Sequence, residues 1–174
     1  MTPCGMILTR KDVMEAKKVS SSQTETSYLM MPQHANPGGN IYGGAILSMA
    51  DAVAYICAAR HATPSVVTVS VDQVDFRTPI RIGDVVTFKA SVNYVGRTSM
   101  EIGIRIEAED LKTGETRHTN SCYFTMVALD EKGQPTPVPG LLLETPEEKK
   151  RFQEGRIRRE HAKELAAKRK ALKD

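Results

Sequence analysis

The sequence predicts an α+β fold in which a curved antiparallel sheet wraps one apolar helix. Three observations carry that expectation: a segment that is apolar nearly all round, a series of long strand-like segments that follow it through short turns, and a change of composition beyond residue 132. The 174 residues suffice for one domain with an appendage and a sizeable core.

The helix is read from Ala45 to Ala59, where only Ser48 and Asp51 among fifteen residues are not apolar. A surface helix shows a single apolar stripe, so this one is expected to be enclosed on most sides. Before it, "TETSYLMMP" near residues 24 to 32 reads as a first strand, followed by the loop "QHANPGGNIYGG", rich in residues that permit unusual backbone angles. After it, the β-branched "VVTVSVDQVDF" reads as a strand, and "RTPIRIGD" as a turn broken by Pro79 and Gly83. "VVTFKASVNYVG" and "TSMEIGIRIEAED" form a hairpin about Gly96 and Arg97. In its second arm Met100, Ile102, Ile104 and Ile106 alternate with Glu101, Gly103, Arg105 and Glu107, the pattern of a strand buried on one face. "LKTGE" turns into a last strand, "TRHTNSCYFTMVALD". A greasy helix and an antiparallel meander satisfy each other most simply when the sheet curls around the helix.

The chain divides accordingly into an N-terminal extension (1–23), a core domain (24–132), a proline-rich linker (133–144) and a basic helix (145–174). The last opens with Thr145 as N-cap, Pro146 at the first helical position and Glu147 and Glu148 in the first turn, with Gly155 as a point of interruption. Residues 147–174 hold 11 Lys/Arg against 6 Asp/Glu, so the net charge of +3 belongs to the tail and the body is close to neutral. A mixed-charge helix of this kind reads first as solvated, and second as a contact with another subunit or with anionic groups. Scarce aromatics and the lack of a recognition motif argue against nucleic acid.

A hydrophobic fraction of 40% with 26% charged residues reads as globular, and no run reaches the roughly 18–20 apolar residues needed to span a bilayer. With no secretory leader pattern at "MTPCGMILTRK", the expected location is the cytoplasm, with no membrane partner. Cys4, Cys57 and Cys122 lie far apart without a CxxC pair and suggest neither disulfide nor zinc site; Cys57 and Cys122 read as small buried side chains, and Cys4 also as a free terminal thiol. The four histidines show no metal-ligand spacing, and GxSxG, HExxH and GxxxxGK[ST] are missing, so no metal or cofactor is expected.

Asp51 is the outstanding candidate for chemistry. A carboxylate on an enclosed apolar helix costs several kcal/mol unless it is paired or faces a polar cavity. Ser48, Asp51 and Tyr55 make a narrow polar strip at helical spacing. Two readings stand: a structural aspartate satisfied by a neighbouring strand or subunit, or an active-site group. The second is strengthened by Gly43 and Gly44 at the helix start, where unpaired N–H groups can polarise a carbonyl. Together these describe an electrophile site and a general base.

"HANPGGNIYGGAILSMAD", "VVTVSVDQVDFRTPIRIGDVV", "YVGRTSMEI" and "FTMVALDEKGQPTPVP" together resemble the hotdog-fold acyl-CoA thioesterases, the cytosolic acyl-CoA hydrolase family with its bacterial members, over about residues 24 to 140. The resemblance implies a helix wrapped by a curved sheet and hydrolysis of fatty acyl-CoA to free acid and coenzyme A without metal or redox cofactor. It implies that Asp51 activates water or attacks the thioester, that Asn36 positions water or carbonyl, and that Gly43 and Gly44 hold the carbonyl oxygen. It further implies that Asn36 of one protomer faces Asp51 of another, so that the chain at least dimerises; many relatives are trimers of dimers, that is, hexamers. Thr68 and Ser70 would border the pocket, although ordinary strand polarity explains them equally well. Arg97, Thr98 and Ser99 match the region that meets the coenzyme A moiety, and Arg60 with His61 follows the helix; arginine can clamp phosphate, but an exposed turn arginine is often simply solvated. Phe76, Pro79, Gly83 and Asp84 read as structural, and His34 stands where relatives often have Asp, without a catalytic role. The alternative is a hotdog unit that senses acyl-CoA without turnover, against which Asp51 and Asn36 both argue. Hydratase chemistry would want a helix-and-loop His/Asp or His/Glu arrangement, and the motif around His34 does not match one.

Overall fold

The computed structural model describes residues 14–62 and 65–172. Its central layer is an antiparallel sheet of five strands: β2 (Thr24–Leu29), β3 (Val66–Phe76), β4 (Asp84–Val95), β5 (Ser99–Asp110) and β6 (Glu115–Ala128), in the order β2-β4-β5-β6-β3. The helix α1 (Gly43–His61) lies in the concave face of the sheet. A short β1 (Lys17–Lys18) pairs in parallel with β7 (Leu141–Leu142), tying the chain before the core to the segment after it. The helix α2 (Pro146–Ala171) ends the fold.

The concave core follows from the alternation in the strands. Phe88, Ala90 and Val92 of β4, Met100, Ile102, Ile104 and Ile106 of β5, and Cys122, Phe124 and Met126 of β6 form one buried core with α1. The helix answers with Ile46, Ala50, Val53, Ala54, Cys57 and Ala58. Its small alanines let the sheet curl close. Burial pushes the Cys57 and Cys122 thiols up to about 12, as expected of inert packing residues. Cys4 lies outside the described residues.

Two expectations change in the structure. The helix is not enclosed on most sides within one chain, because Ser48, Ala52, Tyr55 and Ile56 are exposed on the face turned from the sheet. Its apolar second face continues onto β3, an edge strand with exposed Val67, Val69 and Val71. In addition, the polar outer face of the sheet is not solvated where α2 crosses it. Arg158 forks onto Glu101 at 2.7 and 3.0 Å and stacks on Tyr123 with its guanidinium carbon 3.8 Å from the ring centroid. Phe152 meets Tyr94 at 5.1 Å between centroids, and Gly155 sits so close that a Cβ there would lie 2.8 Å from Tyr94 Cβ. Gly155 therefore seats the helix and does not interrupt it. The start of α2 is as expected: Thr145 accepts from Glu148 N at 3.1 Å and the Glu148 carboxylate accepts from Thr145 N at 2.9 Å, a capping box.

The linker is also tied down. His61, fully buried at the end of α1, donates from Nε2 to Pro139 O at 2.9 Å, and Val138 N donates to Arg97 O at 3.0 Å. Burial lowers the His61 pKa, the Pro139 carbonyl partly offsets this, and Lys17 adds to the lowering. The turn residue Gly83 adopts a φ of 91°, and Asp84 pairs with Arg117 and accepts from Arg81 N at 2.8 Å. Both serve the structure.

Candidate active site

Helix α1 presents Asp51 half-buried, one turn from the exposed apolar face. Across from it, Thr68 of β3 donates its hydroxyl to Asp51 Oδ1 at 2.7 Å, with Met126 Sδ 3.3 Å from the same oxygen of Thr68. The second carboxylate oxygen has no donor among the described residues. A carboxylate oriented through one oxygen and open at the other is suited to take a proton or attack a carbonyl.

At the start of α1 no side chain caps the helix; Tyr42 occupies the N-cap. The first-turn N–H groups of Gly43 and Gly44 thus remain as donors where the helix field is positive. Both glycines lie under aromatic rings. A Cβ on Gly43 would come 3.1 Å from Phe76 Cζ, and one on Gly44 would overlap the Tyr42 ring. Tyr42 and Phe76 are exposed and form the lips of this helix terminus.

Asn36 organises the preceding loop. Its Oδ1 accepts from Gly38 N at 2.9 Å and Asn40 N at 3.3 Å, while Gly39 turns through a φ of 80°. That leaves its side-chain NH2 as the end offered outward. His34 closes the turn before the loop by accepting from Met31 N at 3.2 Å.

The remaining predicted residues are not gathered around Asp51. A bulge between Thr68 and Ser70 turns Ser70 to the outer face, where it and Thr125 donate to Asp72 at 2.7 and 2.6 Å. Arg60 donates to Gln23 O at 3.2 Å and Thr24 Oγ1 at 3.0 Å, which fastens the end of α1 to β2. Arg97, Thr98 and Ser99 form the β4–β5 turn; Arg97 is exposed, and Thr98 and Ser99 accept through their carbonyls from Ala128 N and Gly96 N. Sequence reasoning missed Asn120. It is 1% exposed and lines a cavity beside Gly43. A signal was present, since strand alternation gives it the parity of Cys122, Phe124 and Met126 on the core side.

Residues 38–115 match the family model of the thioesterase superfamily. The chain is 50% identical over 133 residues to protein VdlD of Helicobacter pylori, covering 76% of this chain and 75% of that protein. It is 36% identical over 159 residues to the uncharacterized acyl-CoA thioester hydrolase YkhA of Bacillus subtilis, covering 87% and 89%. The chain belongs to the acyl-CoA thioester hydrolases. Among solved structures, a hexameric acyl-CoA thioesterase superposes with a TM-score of 0.85 at 38% identity, covering 88% of this chain and 99% of that one. The acyl-CoA hydrolase of Staphylococcus aureus, in complex with butyryl coenzyme A, coenzyme A and coenzyme A disulfide, superposes at 0.84 with 34% identity, covering 90% and 96%. Variants of that enzyme with alanine in place of an aspartate, an asparagine or a threonine have also been solved, the asparagine variant with coenzyme A. This thioester hydrolase therefore has the hotdog architecture, with α2 as a C-terminal addition. Among its described residues no helix is long and apolar enough to cross a membrane, and no group of three His, Cys, Asp or Glu could hold a metal ion.

Proposed function

We propose that this chain hydrolyses acyl-CoA to free acid and coenzyme A in a site built between two protomers. Asp51 acts as general base or nucleophile, the first-turn N–H groups at Gly43 and Gly44 bind the thioester oxygen, and Asn36 orients the water or carbonyl. Thioesters suit so small a set of groups, because their carbonyl is electrophilic and a thiolate leaves readily.

The observation that carries the reading is the Thr68–Asp51 hydrogen bond together with the spacing of its partners along the chain. The asparagine, aspartate and threonine replaced in the Staphylococcus enzyme are separated by the same fifteen and seventeen positions as Asn36, Asp51 and Thr68.

Helix geometry supports the shared site. Asp51 lies seven residues beyond Gly44, about 10 Å along the axis at 1.5 Å per residue. A reacting carbonyl must sit on the order of 3 Å from both the oxyanion donors and the attacking group, so one helix cannot supply both. Two helices packed antiparallel about a two-fold axis bring the N-terminus of one beside the middle of the other. The exposed apolar face of α1 and the exposed β3 edge are the surfaces such a pairing would cover. The hexameric relatives favour further assembly into a trimer of dimers.

The test is thiol release from a panel of acyl-CoAs, short to long, by the wild type and Asp51→Asn. Turnover by the wild type and a loss of about a thousandfold or more in the variant is the expected result, since the amide can neither take the proton nor attack. An Asp51→Asn protein that keeps wild-type turnover would remove Asp51 from the chemistry, and a wild type that releases no thiol would remove the hydrolysis itself.

A further inference from the structure

A cavity of about 330 Å³ opens beside the N-terminus of α1, with Gly43 at one side, Ile41, Ile46, Phe76 and Ile80 as apolar walls, and Arg77 and Thr78 also in its lining. Into this lining β6 brings Asn120. Its NH2 end donates to Asp75 O at 3.4 Å. Its carbonyl end, Oδ1, is buried and has no hydrogen-bond partner. Buried side-chain acceptors are rarely left unmet, so this one calls for a donor that arrives from elsewhere.

We propose that this cavity receives the acyl group and that Asn120 reads a hydroxyl on it, so that the enzyme selects acyl-CoAs hydroxylated within a few carbons of the thioester. The inference rests on the thioester-hydrolase reading, in which the carbonyl lies at Gly43 and Gly44 and the carbons next to it enter the space that Gly43 lines. A plain acyl chain leaves the acceptor bare, whereas a hydroxyl supplies the donor it lacks. Phe76, half-exposed and lying against Gly43, stands at the mouth of the cavity.

The experiment compares kcat/KM for butyryl-CoA, both configurations of 3-hydroxybutyryl-CoA, and 4-hydroxybutyryl-CoA in the wild type and in Asn120→Leu, whose side chain has nearly the same shape without the acceptor. The expected result is a wild-type preference of about tenfold or more for at least one hydroxylated member over butyryl-CoA, brought to one or below in the variant. A merely structural Asn120 would lower turnover of all four alike and leave the ratio where it was, which overturns the proposal. So does a wild type that prefers butyryl-CoA to every hydroxylated member, and that arm stands even if Asn120→Leu does not fold. Thiol release from none of the four defeats the hydrolase reading; release from butyryl-CoA without discrimination defeats only the role of Asn120.

Discussion

At the scale of single residues, the proposed chemistry turns on which oxygen of Asp51 is occupied. Thr68 holds Oδ1 and leaves Oδ2 open, so the hydroxyl aims the carboxylate without consuming it. A hydrogen bond to a charged group contributes on the order of 1.5–3 kcal/mol. Thr68→Ala should therefore lower kcat by about 10- to 100-fold while KM changes little, and Thr68→Ser should recover most of the loss. Steady-state kinetics on one acyl-CoA checks both; a Thr68→Ala enzyme with wild-type kcat would make the contact incidental. Asp51 was legible in the sequence because a lone carboxylate stands out on an apolar helix. Thr68 was half legible: the strand marked it, but equally marked Ser70, and only the bulge between them sends one inward and the other to the outer face. Bulges leave no trace in an alternating pattern. Asn120 was passed over although its parity pointed inward, because a polar residue on a strand is expected to face water.

At the scale of elements, the five strands of the main sheet, the apolar helix and the N-cap of α2 follow from local patterns and could be read from sequence, whereas the two-residue pairing of β1 with β7 lay in segments read as extension and linker. The seat of α2 could not be read either. Glu101 alternates with apolar neighbours and reads as solvent-facing, Arg158 reads as one charge among many, and nothing local relates two residues 57 positions apart. Their fork nevertheless buries a carboxylate that is only 6% exposed, beneath a guanidinium stacked on Tyr123. Removing one partner of such a pair strands the other, at a cost of about 3–5 kcal/mol for full burial. With Arg158 still about a quarter exposed, Arg158→Ala should cost roughly 2–3 kcal/mol. Arg158→Met with Glu101→Met should recover much of it by replacing the pair with apolar packing. Denaturant unfolding at fixed protein concentration measures both, since assembly shifts apparent stability. Equal stability of Arg158→Ala and wild type would mean that α2 rests on its aromatic contacts alone.

At the scale of the whole molecule, the proposed mechanism requires one chain to present two half-sites. Its Asn36 loop and glycine helix start belong to one, its Asp51 and Thr68 to the other, with about 10 Å of helix between them. Completion across a two-fold axis makes a prediction that neither half can satisfy alone. Asp51→Asn and Asn36→Ala proteins are each expected to be nearly inactive. Unfolded, mixed in equal amounts and refolded together, they pair at random, so half of the dimers carry one subunit of each kind. In such a dimer one site joins the intact Asp51 of the second protein to the intact Asn36 of the first, while the other site holds both substitutions. Activity should return to about a quarter of the wild-type value, the share of fully native sites. A site completed within one chain would give no recovery at any mixing ratio, because every chain carries a lesion. The apolar face of α1 and the valines of the β3 edge bear on the same outcome: Val69→Lys, at the centre of that edge, should abolish the recovery by keeping the protomers apart, with sedimentation showing monomers.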